Sequence, residues 1–232
     1  GYGEAWPPSH YLWGDVTKSV SDPNDPNPTL WLLGSGAKNT ADIIERTSET
    51  FFYSGDPDNA EIPKIRIAAN QAAHYGDSTY NVHYTDEGGG YTDWYLPSAI
   101  ELHYLRRSQT KMISTNTNYI HQDGFYWSST QGSFTGNSNE YDSNAILISL
   151  NDNQLYHEII LTSDPFAPLS CPTQGDGGNI LQSITKAAYA HTRAIRAVSI
   201  AWSSVPKDAD GDPIGQAFQG GTIFHIPQIE NG

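Results

Sequence analysis

The chain has 232 residues, of which 26 are acidic and 12 basic, giving a net charge of −14 that argues against binding to nucleic acid or anionic lipid. No apolar run approaches the ~18 residues of a membrane span, the longest being pieces such as residues 145–150, so no membrane insertion is expected. Only 16% of residues are charged, whereas 21 Gly, 14 Pro and 14 Tyr describe short strands joined by long ordered loops, in one large domain or two small ones.

The first thirty residues hold no periodic segment, and residues 21–29, SDPNDPNPT, read as a rigid surface loop because each Pro pushes its predecessor out of the helical region. Asn39 or Thr40 caps a helix expected over residues 40–49, with Ile43 and Ile44 on its apolar face. Pro63 suits the first turn of a second helix, in which Ile65, Ala68, Ala69, Ala72 and Ala73 recur at helical spacing and imply close packing against a sheet. Ser98 and Glu101 form a capping box after Pro97 and open a third helix whose Ile100, Leu102 and Leu105 point inward, with Arg106 and Arg107 favouring its C-terminal end.

From residue 126 the pattern changes to strands, expected at residues 126–130, 145–150, 155–162, 193–202 and 222–226. The fourth alternates Ile195, Ala197, Ser199 and Ala201 with Arg196, Val198 and Ile200, which predicts a central strand buried on both sides. Helices come early and strands late, so the expected class is α+β with a twisted, mainly antiparallel sheet flanked by two or three helices.

Asp208, Asp210 and Asp212 stand at alternate positions in a Gly/Pro turn, the way hard oxygen ligands gather round calcium. Pro213 and Gln219 occupy the places where an EF-hand loop needs Gly and Glu, so that motif is excluded, while a calcium-bound turn and a plain acidic turn both fit. His157-Glu158 lacks the second His of a zinc protease, since residue 161 is Leu. There is no Gly-x-Ser-x-Gly elbow, Cys171 has no sequence neighbour that would activate it, and the Gly175–Gly178 stretch lacks the Lys of a phosphate loop. One Cys and one Met also exclude a disulfide scaffold and fit an oxidising, extracellular setting. With Gly1 as its first residue and no signal peptide, the chain reads as a mature or trimmed product. Residues 131–144, QGSFTGNSNEYDSN, offer Phe134 and Tyr141 for stacking and Asn137, Asn139 and Glu140 for hydrogen bonds, the mix that holds a sugar ring. Any exposed loop has a similar composition, and placement decides between the two.

Three ordered motifs carry a resemblance: Gly90-Tyr-Thr-Asp-Trp-Tyr-Leu-Pro-Ser98 continuing to Glu101-Leu102, then Tyr126-Trp-Ser-Ser-Thr130, then Arg193-Ala-Ile-Arg-Ala-Val198. With Trp13-Gly14 and Leu33-Gly-Ser-Gly-Ala-Lys-Asn-Thr-Ala-Asp42 upstream, the chain resembles the Lcl-C family, named for the C-terminal domain of a bacterial collagen-like adhesin and related to the C-type-lectin fold. The resemblance implies Trp94, Leu96 and Trp127 as structural core, and ligand binding or loop display with no enzymatic activity. A formylglycine-generating relative would need reactive cysteines, and Cys171 is alone.

In the family the opening Gly-Gly strand comes first, whereas here Gly215-Gln-Ala-Phe218-Gln-Gly-Gly221-Thr-Ile-Phe224-His-Ile226 comes last. Residues 1–205 are accordingly expected to form a lectin-like domain lacking its first strand, and residues 206–232 an acidic turn plus the strand that completes the same or a neighbouring domain. Phe218, Ile223, Phe224 and Ile226 are the expected assembly residues, because an exposed apolar edge invites association. The expected function is a non-enzymatic extracellular or surface-exposed subunit of a fibre or repeat adhesin, its partner being itself, head to tail or as a tandem repeat, with a calcium-bound or plain acidic turn at the junction and a glycan as candidate ligand. The alternative is a discrete receptor-binding or glycan-binding domain, for instance on a virion.

Overall fold

Residues 126–131 and 145–149 are buried one after another, so two strands run through the middle of the molecule with both faces covered. A computed structural model describes residues 10–15, 33–52, 61–75, 77, 91–107, 125–132, 143–149, 181–197, 209–210, 217–218 and 221–222. The elements in chain order are β1 (His10–Leu12), α1 (Gly36–Arg46), β2 (Thr50–Phe52), β3 (Glu61–Pro63), a 3-10 turn (Lys64–Arg66), α2 (Ala68–Ala73) and α3 (Ala99–Arg107). They are followed by β4 (Phe125–Gln131), β5 (Asn144–Ser149), β6 (Leu181–Thr185), β7 (Tyr189–His191), β8 (Ala217–Phe218) and β9 (Gly221–Thr222).

The class is α+β, and the main sheet has five strands in the order β1-β7-β4-β5-β6. Four pairs of strands would allow an all-antiparallel sheet, but β4 meets β7 in parallel at Tyr126 and His191, so the sheet is mixed. The rings of those two residues stack with centroids 5.1 Å apart. β2 and β3 form a separate two-stranded ladder, and β8 and β9 another.

Two indoles tie the first strand to the centre reciprocally. Trp13 Nε1 donates to the Ser128 carbonyl at 2.7 Å, and Trp127 Nε1 donates to the Tyr11 carbonyl at 2.8 Å. Both rings are fully buried, in a core that also holds Leu12, Ile43, Ile67, Leu96 and Leu147. Burying an indole without a partner for its N–H would cost free energy, so each Trp sits where a carbonyl meets it.

The capping box forms as expected: Ser98 N donates to Glu101 Oε2 at 2.7 Å, and Glu101 N donates to Ser98 Oγ at 3.3 Å. Ile100, Leu102 and Leu105 of that helix are buried. The other expectations need correction. α1 begins at Gly36, four residues before the expected start, and neither Asn39 nor Thr40 caps it. Both are buried on the face turned to the sheet, where their side chains bond other elements, a use that spacing alone does not separate from capping. Pro63 ends β3 instead of opening a helix, and the 3-10 turn delays α2 to Ala68. Ala68, Ala69 and Ala72 are buried as their spacing implies, and α2 lies against α1.

The expected central strand at residues 193–202 is, within its described part, an irregular segment joined to Tyr95 by one antiparallel bridge at Ile195. Residues 198–202 and the strand expected at 155–162 lie outside the described residues. β1, β6 and β7 had no expectation, since three to five residues give too little periodicity to register. Of the strand expected at 222–226, Thr222 ends β9, paired with Ala217.

Candidate functional site

The sequence motifs meet at one junction, and there most of their polar groups are engaged. Asn39 Nδ2 donates to Ser129 Oγ at 3.2 Å, and Ser129 N donates to the Pro97 carbonyl at 2.7 Å. The Thr40 hydroxyl oxygen accepts from Leu96 N at 3.0 Å. Thr130 Oγ1 accepts from Ala99 N at 3.0 Å, at the start of α3. Tyr95 and Ile195 exchange both backbone bonds, at 2.8 and 3.0 Å. Beside them Arg196 grips Asp93 through Nε at 2.9 Å and Nη2 at 3.0 Å, while its guanidinium lies 3.6 Å from the centroid of the Tyr91 ring. Each bond joins segments far apart in sequence, so these residues frame the fold.

Glu101 is the buried carboxylate of this frame. Besides Ser98 N it accepts from Gly34 N at 3.0 Å and from the Tyr95 hydroxyl at 3.4 Å. Burial raises the Tyr95 phenol above its ordinary range, and the charge of Glu101, the hydrogen bond to it and the charge of Asp93 add to the effect. A carboxyl group 3% exposed that accepts from three donors ties three segments together and leaves little open surface for a substrate.

A second cluster fixes the root of the connection between β4 and β5. Lys186, fully buried, donates from Nζ to Gln131 Oε1 at 2.6 Å and lies 4.8 Å from the centroid of Trp13. Gly132 N donates to the Asn144 carbonyl at 3.1 Å, and Lys186 N to the Ser143 carbonyl at 2.9 Å. Ser183 Oγ donates to the Gly132 carbonyl at 3.0 Å and accepts from Asn144 Nδ2 at 3.2 Å. These bonds make a collar of the residues that flank 133–142 in sequence. Sequence reasoning passed over Lys186 and Gln131, whose only signal was a lone Lys beside a strand-like run in a chain with few basic residues.

Of the expected site residues, Phe134, Asn137, Asn139, Glu140 and Tyr141 belong to that connection and lie outside the described residues. Asp210 sits in an exposed turn, with Asp208 and Asp212 outside the described residues. Phe218 pairs with Gly221 across the β8–β9 ladder, and Ile223, Phe224 and Ile226 lie outside. Trp94, Leu96 and Trp127 are buried. Among the described residues no group of three His, Cys, Asp or Glu side chains is placed to hold a metal ion, and no helix is long and apolar enough to cross a membrane. Comparison with protein-family models, with curated proteins and with solved structures finds no match to this chain.

Proposed function

We propose that the chain is a non-enzymatic extracellular module with a C-type-lectin-like fold, which assembles with copies of itself into a fibre or repeat adhesin by strand pairing. One observation carries the reading: β8 and β9 pair with each other in a ladder separate from the five-stranded sheet, and the apolar Ile223, Phe224 and Ile226 follow directly in sequence. A strand of that composition needs a partner to hide its apolar face. A head-to-tail contact whose rotation does not close produces an open fibre. The motif residues support the same view, because a frame that engages its polar groups internally is suited to holding other segments in place. Calcium at Asp208, Asp210 and Asp212, beside the terminal hairpin in sequence, would stiffen the junction between copies.

Light scattering and electron microscopy across a concentration series test the proposal. Thread-like assemblies are expected; a monodisperse particle of 25.5 kDa, or a discrete trimer, at high concentration rejects it.

The collar favours a second reading, that of a discrete glycan-binding domain. A binding loop gains affinity when its ends are fixed before the ligand arrives, and Gln131, Gly132, Ser143 and Asn144, which flank residues 133–142 in sequence, are each hydrogen-bonded. Retention on a glycan array that is lost in Tyr141→Ala and Asn139→Ala, by a protein of constant small size, would select this reading.

A further inference from the structure

We infer that the outward edge of β6 is the surface that receives residues 221–226 of a second copy of the chain. The inference rests on the strand-pairing reading and names its acceptor. Among the described residues β6 has one neighbour in the sheet, β5.

The register settles which backbone groups of β6 face outward. Gly132 N bonds the Asn144 carbonyl, so Asn144 turns its backbone groups toward β4, and by alternation Ala145 and Leu147 turn theirs toward β6. The bond from Lys186 N to the Ser143 carbonyl has the same parity. Ala145 pairs with Ile184 and Leu147 with Gln182, so those two residues direct their amides and carbonyls to β5. Leu181, Ser183 and Thr185 therefore direct theirs away from the sheet. The Thr185 carbonyl accepts from Ala188 N at 2.9 Å in the following turn, so Leu181 and Ser183 carry the outward ladder.

Edges that must stay single are guarded by Lys, Pro or a bulge. The β6 sequence, LQSIT, has no charged residue and no Pro. The occupant has matching properties. Residues 221–226, GTIFHI, contain no carboxylate, Lys or Arg, so two copies that each carry −14 meet along neutral strands. The first two residues are already extended in β9. The five residues 222–226 equal β6 in length. Backbone bonds along the edge supply affinity, and alternate side chains supply register.

The test compares Ser183→Pro, which removes the outward amide while keeping the pairs to β5, with Ser183→Ala, which removes only the hydroxyl bonds to Gly132 and Asn144. Circular dichroism checks the fold, and sedimentation measures assembly. Loss of sedimenting material in Ser183→Pro with retention in Ser183→Ala is the expected result. Should Ser183→Pro fail to fold, two single-cysteine chains are mixed, Gln182→Cys and Ile223→Cys, each in a Cys171→Ser background, and a disulfide-linked pair is expected on oxidation. Fibres that form normally from Ser183→Pro, or that give no cross-link, overturn the β6 assignment while leaving self-assembly intact. A wild-type chain that never assembles overturns both.

Discussion

Glu101 Oε1 accepts the amide of Gly34 at 3.0 Å, across 67 positions of sequence, while Oε2 accepts the amide of Ser98 at 2.7 Å. One carboxylate thus closes a capping box and holds the approach to α1 against the start of α3. Glu101→Ala leaves both amides without that acceptor in a buried setting, so a loss of about 2–4 kcal/mol is expected from chemical denaturation. Glu101→Gln should recover a part of it, since the amide oxygen still accepts. A Glu101→Ala chain with an unchanged denaturation midpoint would show that the tie between the helices contributes nothing.

The two glycines flanking Ser35 should respond to Ala for different reasons. A Cβ on Gly36 would meet the Glu101 carboxylate and come within 2.8 Å of Tyr95 Cε2 and 2.9 Å of the Leu96 carbonyl. Helix propensity favours Ala there by about 1 kcal/mol, but overpacking costs about 1–3 kcal/mol, so net destabilisation is expected. Gly34 has open space around it and a φ of +86°, so Gly34→Ala costs only backbone strain, about 1 kcal/mol. Thermal melts of both variants check the order. A stabilised Gly36→Ala would contradict the close approach of α1 to residues 95 and 96.

Alkaline stability should depend on Tyr95. An unperturbed phenol titrates near pH 10, and burial followed by the Glu101 charge raises Tyr95 above that. Above about pH 10 the unfolded chain gives up a proton that the folded one keeps. Stability is therefore whole below about pH 10 and declines as pH rises beyond it. Tyr95→Phe, whose main loss is a hydroxyl bond 3.4 Å long, is expected to fall less steeply in urea midpoints measured from about pH 8 to about pH 11. Parallel declines in the two chains would assign the alkaline loss to other groups.

Calcium should raise the melting temperature, and Asp210→Asn should remove the increment, if the acidic turn takes the ion with its neighbours in sequence. Equal melting curves in excess calcium and in excess chelator would leave Asp208, Asp210 and Asp212 as plain turn residues.

Legibility in the sequence followed the range of the interactions. The third helix was readable because Ser98, Glu101 and three inward apolar residues act within a few turns of one another. β4 and β5 were readable from β-branched and aromatic runs. The roles of Asn39 and Thr40 were not, because each acts through a partner more than fifty positions away, and a residue that suits a cap also suits a buried cross-link. Lys186 followed the same rule, since its acceptor lies 55 positions earlier. The site residues expected between β4 and β5 were read from composition, whereas the described part of that region is the collar at Gly132, Ser143 and Asn144.

The collar at Lys186 also bears on what happens when the chain is pulled. Lys186 directly follows β6, holds Gln131 at the end of β4 and covers the ring of Trp13, which in turn bonds Ser128. Tension entering at β6 would pass through that side chain into the centre of the sheet and the first strand together, so these segments would resist extension as a unit before any one of them peeled away.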